Sequence, residues 1–154
     1  MVLSNNKIAL VIRFAPSHPG ARMDREGRGM GTILIVEDEP TILHLLRHIL
    51  ERAGFEVILA EDGNQALARL TETCPDLVLC DMVMPGLDGY ETLAAIRRNP
   101  YTHSLPVLAV SVRNQAEDIQ RALEAGANSY ITKPFQRLQL LREIQRFLTA
   151  KGVP

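Results

Sequence analysis

The chain has 154 residues and a formal net charge of −1, and this length fits one globular domain with a single sizeable core. The charge is uneven, because residues 1–29 carry five basic and two acidic side chains whereas residues 30–150 carry eleven basic and sixteen acidic ones. An acidic domain is a poor partner for nucleic acid. No apolar run approaches the ~20 residues of a membrane span, and none near the start is long enough for a signal peptide. We therefore predict a cytoplasmic protein that binds neither nucleic acid nor membrane.

The composition divides the chain into three segments. Residues 1–29 have no periodic pattern and are predicted to be a disordered N-terminal extension. The alternatives are an added edge strand, or a start codon upstream of a true start at Met23 or Met30. Residues 30–150 form the predicted domain, and residues 151–154 are predicted to be a short tail, so no output domain is expected.

From Thr32 onward, apolar runs of strand length alternate with helical patterns. Residues 33–36 are apolar without alternation, which predicts a strand covered on both faces. Acidic residues and Pro40 follow, as is typical of the start of a helix. Gly54 is expected to end this helix. Its predicted buried stripe consists of Ile42, Leu45, Leu46 and Ile49.

Four further units of a strand and a helix follow the first. The predicted strands are residues 55–60, 77–80, 107–110 and 128–132. Asp62 is expected to cap the second helix, and Asp88 with Glu91 to form a capping box for the third. The fourth helix, about residues 114–125, has a thin apolar stripe, and Leu138 lies off the stripe of the fifth helix. Five strands and five helices joined by short links predict right-handed βαβ units and one parallel sheet with helices on both faces.

Polar side chains follow four of the five predicted strands. The first strand leads to Glu37 and Asp38, the third ends in Asp81, the fourth in Ser111 and the fifth in Lys133. The carboxyl ends of parallel strands share one edge, where ligands bind and where Asp81 is expected to be exposed. Three carboxylates there repel one another by about 1 to 4 kcal/mol per pair, and Mg²⁺ is the hard cation that suits such oxygens. Asp81 is then a candidate nucleophile toward phosphorus, with Lys133 and Ser111 as donors to the phosphoryl group.

These residues together resemble the receiver domain of two-component response regulators over about residues 32–150. The matching motifs are Glu37-Asp38, Asp81-x-x-Met-Pro-x-x-Asp-Gly, Ser111 and Tyr130-x-x-Lys133-Pro134. The resemblance is to the stand-alone, chemotaxis-regulator-like form. It implies a flavodoxin-like, doubly wound, five-stranded parallel sheet in the order 2-1-3-4-5 with five helices.

The resemblance also implies where the phosphoryl group and the metal ion bind. Asp81 would accept the phosphoryl group from a phosphohistidine on a histidine kinase or a histidine phosphotransfer domain. Glu37, Asp38, Asp81 and the backbone carbonyl of Val83 would hold Mg²⁺. The protein would be a phosphoacceptor in a phosphorelay, with no enzyme activity beyond its own phosphorylation and dephosphorylation.

The remaining motif residues would carry the response. Lys133 would bind a phosphoryl oxygen, and its peptide bond to Pro134 is expected to be cis. Ser111 and Tyr130 would be the switch pair, which signals to an unknown downstream protein through the face formed by the fourth helix, the fifth strand and the fifth helix. Val112, which follows Ser111, is bulkier than is usual in the family and could restrict access to the phosphoryl group.

Two other functions stay open. A phosphohydrolase with an aspartyl nucleophile would resemble the haloacid dehalogenase family, but that family needs a second aspartate at the position of Val83. A receiver domain that docks without phosphorylation is the stronger alternative, although every acceptor-site residue is present. Tyr130 has an alternative interpretation as an ordinary half-buried aromatic residue of a strand.

Several weaker motifs carry no function in this interpretation. His44 and His48 have the spacing of a metal pair but lack the glutamate of a zinc protease motif, so a solvated face or a docking surface for the phosphodonor is favoured. The glycines within residues 27–31 precede the first strand, unlike a dinucleotide-binding fingerprint. Cys74 and Cys80 lack CxxC spacing and are expected to be buried free thiols in a reducing compartment.

Overall fold

The computed structural model describes residues 29–150, so the predictions for residues 1–28 and 151–154 lie outside the described residues. Strands and helices alternate along the chain. The strands are β1 (Thr32–Val36), β2 (Glu56–Ala60), β3 (Leu77–Asp81), β4 (Val107–Ser111) and β5 (Ser129–Thr132). The helices are α1 (Pro40–Ala53), α2 (Gly63–Glu72), α3 (Gly89–Arg98), α4 (Ala116–Glu124) and α5 (Arg137–Ala150). No helix within residues 29–150 is long and apolar enough to cross a bilayer.

The five strands form one parallel sheet in the order β2-β1-β3-β4-β5, which confirms the predicted fold class. The register decides which side chains meet at the carboxyl edge. Val36 lies opposite Cys80, so the next residue of each strand puts Glu37 level with Asp81. Asp81 in turn lies opposite Val110.

Each strand sends alternate side chains into two cores, one on each face of the sheet. Ile33 and Ile35 of β1 pack with α1 and α5, whereas Leu34 and Val36 pack with α2, α3 and α4. Burial on both faces explains why the strands are apolar runs without alternation.

The rotation of α1 differs from the prediction. Its buried residues are Leu43, Leu46, Ile49 and Leu50, and Leu45 is 46 % exposed. The sequence of α1 offers two adjacent apolar stripes, so periodicity alone does not choose between them. The packing of Leu43 and Leu50 against the sheet and α5 selects the stripe that faces inward.

The predicted ends of the helices are confirmed. The side chain of Asp62 accepts a hydrogen bond of 2.7 Å from the backbone N–H of Gln65 at the start of α2. Asp88 and Glu91 form the capping box that opens α3. Gly54 ends α1 at φ +100°, a left-handed conformation that favours glycine.

Two further expectations about burial have opposite outcomes. The thin packing of α4 is confirmed, because among its residues Ala122 alone is fully buried and Leu123 is exposed. The expectation that both thiols are buried is wrong for Cys74. Cys80 is buried inside β3, but Cys74 is exposed because it lies in the loop that follows α2.

Candidate functional site

Three carboxylates meet at the carboxyl edge of the sheet. One oxygen from each of Glu37, Asp38 and Asp81 lies within 4.8 Å of the others. Glu37 and Asp81 are buried, and Asp38 is exposed. The expectation that the strand end exposes Asp81 is wrong, since this residue is only 6 % accessible. β3 is the central strand, so β1, β4 and the loops that follow them enclose its end.

Lys133 brings a cation to this cluster from the end of β5. Its Nζ lies 2.5 Å from Oε2 of Glu37 and 3.4 Å from Oδ2 of Asp81. The peptide bond between Lys133 and Pro134 is cis. The backbone N–H of Lys133 donates a hydrogen bond of 2.8 Å to the carbonyl of Ser111, which extends the pairing with β4 one residue beyond the end of β5.

Burial and charge shift the titration of this ion pair. Burial and the charge of Asp81 raise the pKa of Glu37, and the hydrogen bond from Lys133 offsets only part of this effect. Burial by itself lowers the pKa of Lys133, but the hydrogen bond to Glu37 and the charges of both carboxylates outweigh burial, so its pKa lies above its ordinary value. One ammonium among three carboxylates leaves an excess of negative charge, and a further cation is favoured there.

The predicted switch residues, Ser111 and Tyr130, are both hydrogen-bonded to the backbone of Arg113, in the loop after β4. The hydroxyl of Ser111 is fully buried and accepts a hydrogen bond of 3.2 Å from the backbone N–H of Arg113. Tyr130 is half-buried, and its hydroxyl donates a hydrogen bond of 2.7 Å to the carbonyl of Arg113. One loop residue therefore joins the two side chains.

Two valines lie beside the cluster in the chain. The backbone N–H of Val83 donates a hydrogen bond of 3.0 Å to Oδ1 of Asp81, which fixes the carboxylate above the start of the loop. The side chain of Val83 is exposed. Val112 is 65 % exposed, so its bulk lies largely in solvent.

Gly89 is a residue of the site for which the sequence predicted no role. A Cβ atom at Gly89 would collide with the carbonyl oxygen of Asp81 and with Cα of Met82. The first turn of α3 can therefore lie directly against the end of β3 only because position 89 has no side chain. The Asp-Gly pair of the motif was the available signal, but closeness to Asp81 is a tertiary property.

Among the residues that the structure describes, the histidines of α1 have no partners for a metal site. Both His44 and His48 are exposed on the outer face of this helix. Within residues 29–150, the carboxylate cluster is the one group of three histidine, cysteine or acidic side chains placed to share a metal ion.

The fold and this edge of polar residues define a receiver domain of the two-component type. The family model of the response regulator receiver domain matches residues 33–145, and the chain belongs to this family. It is a phosphoacceptor signalling domain. Receiver domains bind Mg²⁺ in an acidic cleft and interact with histidine kinases and downstream effectors.

Curated relatives include full-length regulators and single-domain proteins. The phosphate regulon transcriptional regulatory protein PhoB of Escherichia coli is 40 % identical over 113 residues, which are 73 % of this chain and 49 % of PhoB. The chain thus spans about half the length of this relative. Protein PilH of Pseudomonas aeruginosa is 37 % identical over 119 residues, covering 77 % of this chain and 98 % of PilH.

Solved structures show the same architecture. The chemotaxis protein CheY4 of Vibrio cholerae has a TM-score of 0.74 and 32 % identity, covering 78 % of this chain and all of that one. The receiver domain of a sensor histidine kinase of Pseudomonas aeruginosa has a TM-score of 0.73 and 34 % identity, covering 77 % of this chain and 98 % of that one. In that structure a magnesium ion is coordinated in the active site cleft.

Proposed function

We propose that Asp81 is the phosphoacceptor and that its donor is a phosphohistidine on a histidine kinase or a histidine phosphotransfer domain. The observation that carries this proposal is the distance of 3.4 Å between Oδ2 of Asp81 and the ammonium of Lys133, inside a cluster of three carboxylates. The ammonium is close enough to donate a charge-assisted hydrogen bond to an oxygen of an acyl phosphate formed at Asp81. We also propose that the receiver domain comprises residues 30–150.

Glu37, Asp38, Asp81 and the backbone carbonyl of Val83 are the proposed Mg²⁺ ligands. The fit rests on the chemistry of the donors, because three carboxylates offset by one ammonium leave a hard, negatively charged oxygen site. When bound, Mg²⁺ neutralises the charge that the phosphoryl oxygens bring and orients them for transfer.

The transfer itself requires little of the protein beyond positioning. An oxygen of the Asp81 carboxylate forms a bond to phosphorus while the bond between phosphorus and the histidine nitrogen of the donor breaks, and the electron pair of that bond stays on the nitrogen, which takes up a proton. Lys133 holds a phosphoryl oxygen. Because the N–H of Val83 already binds Oδ1 of Asp81, the carboxylate is held in one orientation before the donor arrives.

The donor is proposed to dock on the exposed face of α1. This helix begins three residues after Glu37, so its N-terminal end lies next to the cluster. Leu45 lies on that face, 46 % exposed, with His44 and His48 beside it. A single exposed leucine is common on protein surfaces, so the proposal rests on the position of α1 directly after Glu37 and Asp38.

The output is proposed to be the face formed by α4, β5 and α5. In the proposed switch the hydroxyl of Ser111 turns from the N–H of Arg113 toward a phosphoryl oxygen, and Tyr130 is hydrogen-bonded to the carbonyl of that same residue. Leu138 of α5 is 63 % exposed and Leu123 of α4 is also exposed, which provides apolar surface for a partner. Phosphorylation would shift the population of two arrangements of this face.

Mass spectrometry after incubation with a small phosphodonor and Mg²⁺ tests the proposal. The wild-type protein is expected to gain one phosphoryl group and Asp81→Asn none. Asp62→Asn is the matched control, because Asp62 lies at the same sheet edge outside the cluster and asparagine can still cap α2. A wild-type protein that stays unmodified, or an Asp81→Asn variant modified to the same extent, would contradict the proposal.

A further inference from the structure

Helix α4 has little apolar packing, so other contacts must hold it in place. Among its own residues Ala122 alone is fully buried. Two side chains of α3 supply polar contacts to the α4 region: Arg97 at the C-terminal end of α4 and Tyr90 near its N-terminal half. The two attachments differ greatly in strength.

The attachment by Arg97 uses all five N–H groups of the guanidinium. Its acceptors are the carbonyls of His103, Leu105 and Gly126 and the side-chain oxygen of Asn128, at distances of 2.7 to 3.1 Å. Gly126 has φ +112°, and a Cβ there would lie 2.9 Å from Nε of Arg97. The link between α4 and β5 is therefore fixed to α3 and to the loop before β4.

The attachment by Tyr90 is weaker. Its hydroxyl lies 3.4 Å from the carbonyl oxygen of Asp118, which is a long hydrogen bond. The guanidinium of Arg121, an exposed residue, lies 3.9 Å from the centre of the Tyr90 ring, a cation–π contact. These two contacts hold the first two turns of α4 against α3.

The Tyr90 attachment is connected to the acceptor site at both of its ends. Tyr90 follows Gly89, which lies directly against the backbone of Asp81. Asp118 forms an ion pair of 3.8 Å with Arg113, whose N–H donates to the hydroxyl of Ser111. A continuous series of contacts thus joins the switch hydroxyl to the N-terminal half of α4.

We propose that Tyr90 is a positioning residue that holds the N-terminal half of α4 in the unphosphorylated arrangement, and that Arg97 is the fixed pivot at the other end. The inference rests on the proposed function, in which Ser111 leaves Arg113 to bind the phosphoryl group. Arg113 then loses a hydrogen bond, its pairing with Asp118 loosens, and the contacts of Tyr90 are released. The helix turns about Gly126, where Arg97 keeps its bonds.

A thermodynamic consequence separates this role from a merely structural one. Contacts that favour the unphosphorylated arrangement oppose the binding of a phosphoryl mimic, and removing them must strengthen that binding. A residue that only supports the fold would leave the affinity unchanged or weaken it.

Titration of the full chain with beryllofluoride and Mg²⁺ tests the inference. Tyr90→Phe removes the hydroxyl but keeps the ring, and we expect binding about two- to fivefold tighter. Tyr90→Leu removes both contacts, and we expect binding about three- to tenfold tighter. Tyr101→Phe is the matched control, because Tyr101 is 94 % exposed. The affinity of this variant for beryllofluoride should equal that of the wild type.

Hydrogen exchange supplies the second measurement. In Tyr90→Phe, faster amide exchange is expected within residues 116–121 and unchanged exchange within residues 126–128. In Arg97→Lys, faster exchange is expected within residues 126–128 and unchanged exchange within residues 116–121. Equal or weaker beryllofluoride binding by both Tyr90 variants, when the wild type binds, would overturn the positioning role alone. A wild type that does not bind, or an Asp81→Asn variant that binds equally well, would overturn the proposed function and this inference together.

Discussion

Lys133 and Glu37 form the shortest ion pair of the site, with 2.5 Å between Nζ and Oε2, although their strands are not neighbours. β3 and β4 lie between β1 and β5, so the lysine and glutamate side chains meet across the end of β3. The same ammonium nitrogen lies 3.4 Å from Oδ2 of Asp81. Before phosphorylation, the ammonium therefore neutralises the same carboxylates that are proposed to bind Mg²⁺.

Replacing Lys133 by methionine should separate metal binding from phosphorylation. The variant loses the ammonium that donates to the phosphoryl oxygen, so the yield of phosphorylated protein with a small phosphodonor should fall about tenfold or more. This loss corresponds to one charge-assisted hydrogen bond of about 1.5 to 3 kcal/mol. Its Mg²⁺ affinity should stay the same or rise, because a competing cation is gone. Mass spectrometry and calorimetric titration measure the two effects. Arg98→Met, at the far end of α3, is the control, and loss of Mg²⁺ binding by Lys133→Met would contradict the prediction.

Gly89→Ala should lower both the stability of the protein and the rate at which Asp81 is phosphorylated. The added methyl group collides with the backbone at Asp81 and Met82, which must move apart, and a free-energy loss of about 1 to 3 kcal/mol is expected. Urea denaturation measures this loss, and the phosphorylation rate should fall as well. Gly29→Ala is the control, since no atom lies within 4 Å of a Cβ at that position. A variant as stable as the wild type would show that the first turn of α3 can move away freely.

Tyr130→Phe should weaken the coupling between acceptor and output face. It removes the hydrogen bond to the carbonyl of Arg113. With Mg²⁺ and beryllofluoride, the amide NMR shifts of the wild type should extend from the Asp81 loop into α4, β5 and α5. In the variant the distant shifts should shrink while those of the loop persist. Wild-type shifts confined to the loop would refute the proposed output face.

Leu45→Asp should distinguish a docking surface from an incidental exposed leucine. Phosphotransfer from a histidine kinase active on the wild type should slow about tenfold or more, because a charge replaces apolar contact area. Phosphorylation by a small donor should be unchanged, since the carboxylate cluster is intact. Leu138→Asp, an exposed leucine of α5 outside the proposed docking face, should leave both rates unchanged. Equal kinase rates for Leu45→Asp and wild type would remove α1 as the docking face.

Cys80 should make the protein less stable in alkali. Burial, reinforced by the charges of Asp81 and Glu37, raises the pKa of its thiol far above the ordinary 9.0. The folded state then keeps a proton that the unfolded state loses, so the free energy of unfolding falls as pH rises past about 9, by up to about 1.4 kcal/mol per pH unit. Urea denaturation between about pH 9 and 10 should show a shallower decline in Cys80→Ala. Cys74→Ala, at an exposed site, should decline as the wild type does.

Local patterns were sufficient to predict the elements and their order. The caps at Asp62 and Asp88 are formed within three residues of chain, so their hydrogen bonds do not depend on distant packing. Strand ends were predictable for a similar reason, because an apolar run stops where polar residues begin. The rotation of α1 was not predictable, because its sequence has two adjacent apolar stripes. Contacts with α5 decide which stripe faces inward.

The sequence by itself determined a parallel five-stranded sheet and the residue types at its carboxyl edge. Only the tertiary structure decided that Asp81 is buried, that Lys133 reaches Glu37, and that Tyr90 contacts Arg121. These relationships join segments that are distant in the chain. Their geometry depends on how the helices and loops pack around the central strand. Residue periodicity carries no information about which distant segments come into contact.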